Sequence, residues 1–72
     1  AIGEFQVIAH MLADMQTEVD ASRLLVERAA SMIINGADAM REVSMAKLYG
    51  SETYAKISNQ GMQIFGAYGY SM

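Results

Sequence analysis

Apolar and small residues recur at Phe5, Ile8, Leu12, Met15, Val19, Ser22, Val26, Ala29 and Ile33, in steps that alternate three and four. That spacing keeps a row of side chains on one face of an α-helix and does not fit the period of two that a strand requires. Val7, Met11, Leu24, Leu25 and Met32 widen the stripe, as expected of a helix that touches more than one neighbour. Asp14, Glu18, Arg23 and Glu27 fall on the outer face. No proline occurs anywhere, so nothing in the sequence forbids a helix of this length. At about 1.5 Å per residue it would be roughly 45 Å long, well beyond the average globular helix.

The stretch INGAD at 33–37, followed by Asp38, supplies the break. Gly36 suits the positive φ of a helix C-cap, and Asn35 can do the same or cap the next helix. Asp38 puts a carboxylate in the first turn of a second helix, where the helix dipole favours it. That helix has its own three-four row at Val43, Ala46, Gly50, Thr53, Ile57, Gly61 and Ile64, built mostly from small residues. Such a row invites close approach of two backbones, at about 1 kcal/mol of helix propensity for each of Gly50 and Gly61. The pattern predicts a helix over about 4–34, a turn over 35–37, a helix over 38–65 and a tail over 66–72. The fold class is all-α: an antiparallel αα-hairpin of two long helices. Two helices cannot cover both stripes, so the hairpin reads as half of a four-helix bundle, completed by self-association or by helices outside this sequence.

Composition narrows the function classes. With 72 residues the chain is at most one domain, and so short a chain has a marginal core. It contains no Cys, which excludes disulfides and thiolate metal sites, and its single His10 excludes a multi-histidine site. Yet 53% of the residues are apolar and seven are Met, too many for a disordered segment. The net charge of −3 and the scattered basic residues Arg23, Arg28, Arg41, Lys47 and Lys56 argue against a nucleic-acid surface. Charges interrupt every apolar run short of a membrane span. The first residues carry no basic stretch of the kind that opens a signal peptide. The chain begins with Ala and reads as a piece of a longer polypeptide.

Few residues suggest chemistry of their own. His10 lies beside the apolar row with no orienting partner, and reads as an interfacial histidine rather than a general base. Among the carboxylates, Glu27 and Glu42 sit on different helices near the turn, but a solvated face with local pairs explains them better. Glu52–Lys56 has the favourable i,i+4 order and Asp38–Glu42 the unfavourable like-charge one. Ser44, Ser51 and Ser58 recur every seven residues with no His nearby in sequence, so nucleophilic catalysis has no support. The Met residues read as adaptable core filler. No catalytic residue and no metal ligand set emerges. The sequence QIFGAYGY at 63–70, where the apolar pattern gives way to glycines and tyrosines, reads on its own terms as a helix end.

Three stretches carry a family resemblance. IGEFQVIAHMLADM (2–15) is similar to the phenylalanine-glutamine entry to a long helix in the acyl-CoA dehydrogenase family, with its Leu-Ala-Asp-Met segment. REVSMAKLYGSETYAKISNQGMQIFGAYGY (41–70) resembles the family's next helix, with its Ser-Met-Ala-Lys core and terminal glutamine-aliphatic-aromatic-Gly-Gly-x-Gly-Tyr motif. EVDASRLLVERAA (18–30) matches the intervening pattern more loosely. Together they cover nearly the whole chain, in the family's order and spacing.

The resemblance implies part of the C-terminal helical domain of an FAD-dependent enzyme that removes two hydrogens from an acyl-CoA thioester. It implies a homo-oligomer, dimer or tetramer, with an electron-transfer flavoprotein as redox partner and FAD at a subunit interface. Carried onto matching positions, Gln6 would contact FAD, and Gln63, Ile64, Phe65, Gly66 and Ala67 would form the dinucleotide-side contact. Small residues at 66 and 67 would let backbone N–H groups come near the cofactor. Ala67 departs from the family pattern, which has glycine there.

The family's base glutamate would lie beyond Met72 or before Ala1, so the isolated chain is expected to be inactive and not to hold FAD tightly. The compartment would be the bacterial cytoplasm or the mitochondrial matrix. The alternative is a non-catalytic helical hairpin whose only activity is self-association. An Arg-x-x-Phe-Gly upstream and an Arg-Asp then Glu-Gly-Thr downstream would favour the enzyme. Either way, the exposed stripes predict a dimer or larger species in solution.

Overall fold

The structure is a computed structural model that describes residues 2–67. Two helices make up the fold, α1 (Ile2–Ile34) and α2 (Met40–Ala67), packed against each other, with no strand among the described residues. The chain measures 53 × 24 × 13 Å, so the hairpin is a single layer of helices. The all-α hairpin expected from the spacing is the fold that forms.

The turn arises from local chemistry. Gly36 has φ +80°, the only positive φ among the described residues. Its N–H donates to the Ile33 carbonyl at 3.0 Å and that of Ala37 to the Met32 carbonyl at 2.9 Å. This pair of bonds is the Schellman arrangement, which satisfies carbonyls that the end of α1 would otherwise leave open. Asp38 Oδ1 then accepts from the Met40 N–H at 3.1 Å. Asp38 therefore stands just before α2, where its carboxylate caps the first helical N–H through an Asx turn, rather than in the first turn, and the helix starts at Met40 instead of 38. At the other ends, α1 begins at Ile2 rather than 4, and α2 runs through Gly66 and Ala67 instead of stopping at Phe65. Residues 68–72 of the expected tail, with Tyr68 and Tyr70, lie outside the described residues.

Packing corrects the expected rows. Most of the α1 side chains that lose solvent are Ile8, Met15, Ser22 and Ala29 on one row and Met11, Glu18, Leu25 and Met32 on the next, with Asp20 and Ala21 also partly covered. Phe5, Leu12, Val19, Val26 and Ile33, expected in the seam, remain 45% to 74% exposed. The contact line is displaced by one row because the apolar stripe is wider than one partner helix can cover. On α2 the expected Val43 is likewise exposed, whereas Ala46 and Thr53 are buried. The buried residues are Ala29, Ala39, Ala46, Thr53 and Glu42, so small side chains form most of the core.

The glycine pair divides. A β-carbon on Gly50 would stand 3.4 Å from Ser22 Oγ, so α1 does come near it; one on Gly61 would meet nothing within 4 Å. The close approach expected at both glycines is made at Gly50 alone.

The two flanks of the seam differ. One carries two shallow apolar cavities. The larger, about 460 Å³, is lined by Val19, Ser22, Gly50, Tyr54 and Ile57 among others. A second, about 270 Å³, lies between Val26, Ala29 and Ile33 of α1 and Val43 and Ala46 of α2. The opposite flank carries Glu42, Tyr49 and Lys56, spaced by seven residues along α2.

Candidate functional site

The polar flank holds two cross-helix clusters. Glu18 of α1 accepts the Tyr49 hydroxyl on Oε1 and the Lys56 ammonium on Oε2, the latter at 2.9 Å. The Tyr49 hydrogen bond, then Lys56, holds the Glu18 carboxyl below its ordinary value. The same bond raises the Tyr49 phenol, and Glu18 raises the Lys56 ammonium. Lys56 thus reaches across to α1 rather than back to Glu52 as the local spacing predicts. Both Glu18 oxygens are engaged by donors, which leaves a stabilised carboxylate without the spare basicity of a general base.

Near the turn, Glu42 is only 4% exposed. Its Oε2 accepts from Arg28 of α1 at 3.4 Å and from Arg41 at 3.1 Å. Its own main-chain N–H, then the Arg41 hydrogen bond, holds its carboxyl below the ordinary value. The expected solvated carboxylate is therefore a buried one. Its partner across the helices is Arg28, one position beyond Glu27. Burial beneath two guanidiniums suits an ionised tie between helices.

Among the described residues, no three His, Cys, Asp or Glu side chains gather as metal ligands. His10 is exposed, as are Ser44, Ser51 and Ser58. No described helix is long and apolar enough to cross a membrane.

The residues carried over from the family resemblance gather at the open end of the hairpin, away from the turn. Ser22 faces Gly50, and Arg28 meets Glu42. This antiparallel register places Gln6 level with residues 64–66. Gln6 and Gln63 are exposed, Ile64 is half-buried, and Gly66 is exposed in the last turn of α2. Phe65 and Ala67 belong to that turn by their backbone.

The helical path of residues 64–67 changes one expectation. In a helix, the N–H groups of Gly66 and Ala67 point back along the chain to the carbonyls of residues 62 and 63. What the end of α2 leaves open is carbonyl oxygen. The donors available here are therefore side-chain amides, with Gly66 adding bare, approachable backbone. One such amide was missed: Gln60, one turn before Gln63, has a buried Oε1 with no hydrogen-bond partner. Its signal in the sequence was the recurrence of glutamine at 60 and 63, one helical turn apart. Gln60 shares the row of the buried Ala46 and Thr53, so its orphaned acceptor lies on the seam side of α2, where an unpaired amide oxygen costs stability.

Comparison with known proteins supplies the family. The profile described as acyl-CoA dehydrogenase, C-terminal domain, matches residues 1–72. The chain is 49% identical over 69 residues to the caffeyl-CoA reductase–Etf complex subunit CarC of Acetobacterium woodii, covering 96% of this chain and 18% of that protein. It is 44% identical over 69 residues to the 3-(aryl)acrylate reductase of Clostridium sporogenes, with 96% and 18% covered. Against the human mitochondrial short-chain specific acyl-CoA dehydrogenase it is 43% identical over 67 residues, covering 93% of this chain and 16% of that protein. The chain therefore spans less than a fifth of the curated relatives it matches. No solved structure matches. The chain belongs to the acyl-CoA dehydrogenase family, as a segment of its C-terminal domain.

Proposed function

We propose that this chain is the cofactor-side helical hairpin of a flavin-dependent acyl-CoA oxidoreductase. The reading is carried by family membership together with the antiparallel register, which puts the exposed Gln6, Gln63 and Gly66 at the same end of the hairpin. Gln6 and Gln63 would bind the dinucleotide through their carboxamides, and Gly66 would let it lie against bare backbone. Ile64, Phe65 and Ala67, in the same turn of backbone, would be the remaining contacts that the family resemblance carries over. The Glu18–Tyr49–Lys56 and Glu42–Arg28 ties would hold the two helices in the register that brings these ends together. FAD, when bound, supplies the acceptor for a hydride from the β carbon of an acyl-CoA thioester. The α-proton would be taken by a carboxylate outside this chain. The isolated hairpin would accordingly be inactive and bind FAD weakly.

The direction of reaction has a second reading. Two of the relatives named above are reductases, which favours reduction of an α,β-unsaturated thioester in the parent protein. The parent would work as a homo-oligomer with an electron-transfer flavoprotein. The test is to purify the full-length parent, record its flavin spectrum, and assay both directions with an electron-transfer flavoprotein or an artificial redox dye. Bound flavin and turnover in either direction support the reading. A parent that purifies without flavin, takes up none, and turns over no acyl-CoA overturns it.

A further inference from the structure

Among the described residues, the last polar tie between the helices, counted from the turn, joins Lys56 Nζ to Glu18 Oε2 at 2.9 Å. Beyond it roughly four turns of α1, from Glu18 back to Ile2, run on without another. The seam is loose there: a β-carbon on Gly61 would meet nothing within 4 Å. The Gln60 acceptor beside it is buried without a partner, a cost that parting of the helices relieves by admitting water. Lys56 also has a second acceptor within reach. Glu52, one turn before it in the favourable Glu-to-Lys order, lines the same cleft of about 210 Å³ as Glu18, Tyr49 and Lys56. Its carboxylate makes no hydrogen bond or ion pair with a described residue. We propose that Lys56 is a latch with two positions: on Glu18 it holds the glutamine end of the hairpin shut, and on Glu52 it lets that end part.

The two positions lie close in free energy. The Lys56 and Glu18 side chains are 49% and 25% exposed, so their pair favours the shut state by no more than about fivefold. A Glu–Lys pair one turn apart on a helix is worth about twofold. Neither position buries a charge, and the ammonium passes from one carboxylate to the other through water. Asp14, one turn before Glu18, adds to the pull toward α1. The Tyr49 hydroxyl occupies Glu18 Oε1 and keeps that carboxylate in place for the returning lysine. Parting of this end thus differs from plain fraying, because a particular residue that is idle in the shut state stabilises the open one. On the functional reading above, this is the end that meets the dinucleotide, so the latch would govern how readily it admits and releases that group. This consequence rests on that reading, whereas the latch is a property of the hairpin and can stand or fall without it.

Hydrogen exchange followed by mass spectrometry on the full-length parent, as purified, tests it. The segment 57–67 reports opening, and 29–46 beside the turn serves as internal reference. Glu52→Gln should slow exchange over 57–67 about twofold, because it removes the open position, and should leave the reference unchanged. Glu18→Gln should speed exchange over 57–67 about two- to fivefold. In the double variant most of the Glu52→Gln gain should vanish, since Lys56 then rests on Glu52 whether the end is shut or parted. If Glu18→Gln does not fold, Lys56→Gln takes its place: with no ammonium to seat, Glu52→Gln should change nothing. Unchanged or faster exchange over 57–67 in Glu52→Gln overturns the proposal, as does an equal Glu52→Gln effect with and without Glu18 or Lys56. Flavin content is read separately, so a flavin-free parent would sink the functional reading and leave the latch test intact.

Discussion

Ser22 and Gly50 face each other across the helix pair, with Ser22 Oγ 3.4 Å from where a Gly50 β-carbon would stand. That distance is ordinary van der Waals contact, so a methyl fits and a longer side chain does not. Gly50→Ala is expected to stabilise the chain by up to about 1 kcal/mol through helix propensity, and Gly61→Ala, in open space, by a similar amount. Gly50→Leu should lose stability by separating the helices. Thermal unfolding followed by circular dichroism reads all three, and a stabilising Gly50→Leu would contradict the packing.

The turn predicts two further losses. Gly36→Ala forces a β-carbon into positive φ and should cost about 1 kcal/mol or slightly more. Asp38→Ala removes the cap from the Met40 N–H, again for about 1 kcal/mol. Each corresponds to a midpoint fall of roughly 4–8 °C for a domain of this size. Asp38→Asn, which retains a capping oxygen, should recover most of the second loss.

The cross-helix carboxylates make stability depend on pH. Glu18 and Glu42 have folded values below the ordinary 4.5, so their contribution is present above that value and lost as pH falls through the folded values. Lys56 and Tyr49 are raised from 10.5 and 10.0, so theirs is present below those values and lost as pH rises through the raised ones. The melting temperature should be flat near neutrality and fall at both extremes. Glu18→Gln should lower the melting temperature near neutrality and flatten both limbs, because the Glu18, Tyr49 and Lys56 shifts all arise from this cluster. An unchanged profile in Glu18→Gln would show that Tyr49 and Lys56 do not depend on it.

At the open end, Gln63→Ala in the full-length parent should weaken FAD retention about two- to tenfold, the range of one net hydrogen bond. Gln60→Ala should weaken it to a similar degree if its buried Oε1 meets the cofactor. Gln60→Leu should stabilise the fold if that atom is merely orphaned. Flavin dissociation and thermal midpoint, measured on the same variants, separate the two.

Much of the fold was legible because period and punctuation are local properties. The three-four spacing gave two helices, and Asn35, Gly36 and Asp38 gave the place where they turn. The row that faces the partner was not legible. A stripe holding Ile8, Met11 and Leu12 is wide enough for two neighbours, and period alone cannot say which neighbour takes which row. The buried Glu42 and the Lys56–Glu18 tie escaped for a related reason: their partners lie 14 and 38 residues away, and only the register of the hairpin pairs them. Local rules gave Lys56 to Glu52. At the candidate site, Gln6 and Gln63 came from the family resemblance and Gln60 from neither source, since an orphaned atom is a property of packing.

The Schellman turn also sets an order of events. Contacts beside Gly36 close short loops, while those that bring Gln6 level with Gln63 close nearly the whole chain, at a greater entropic cost. The hairpin should therefore zip from the turn and close its glutamine end last. In the native state the same gradient makes amide hydrogens beside Ala29 and Ala46 the slowest to exchange and those near Gln63 faster. The end that would meet a dinucleotide is thus the one the hairpin itself holds least firmly, and the bound group would set much of its order.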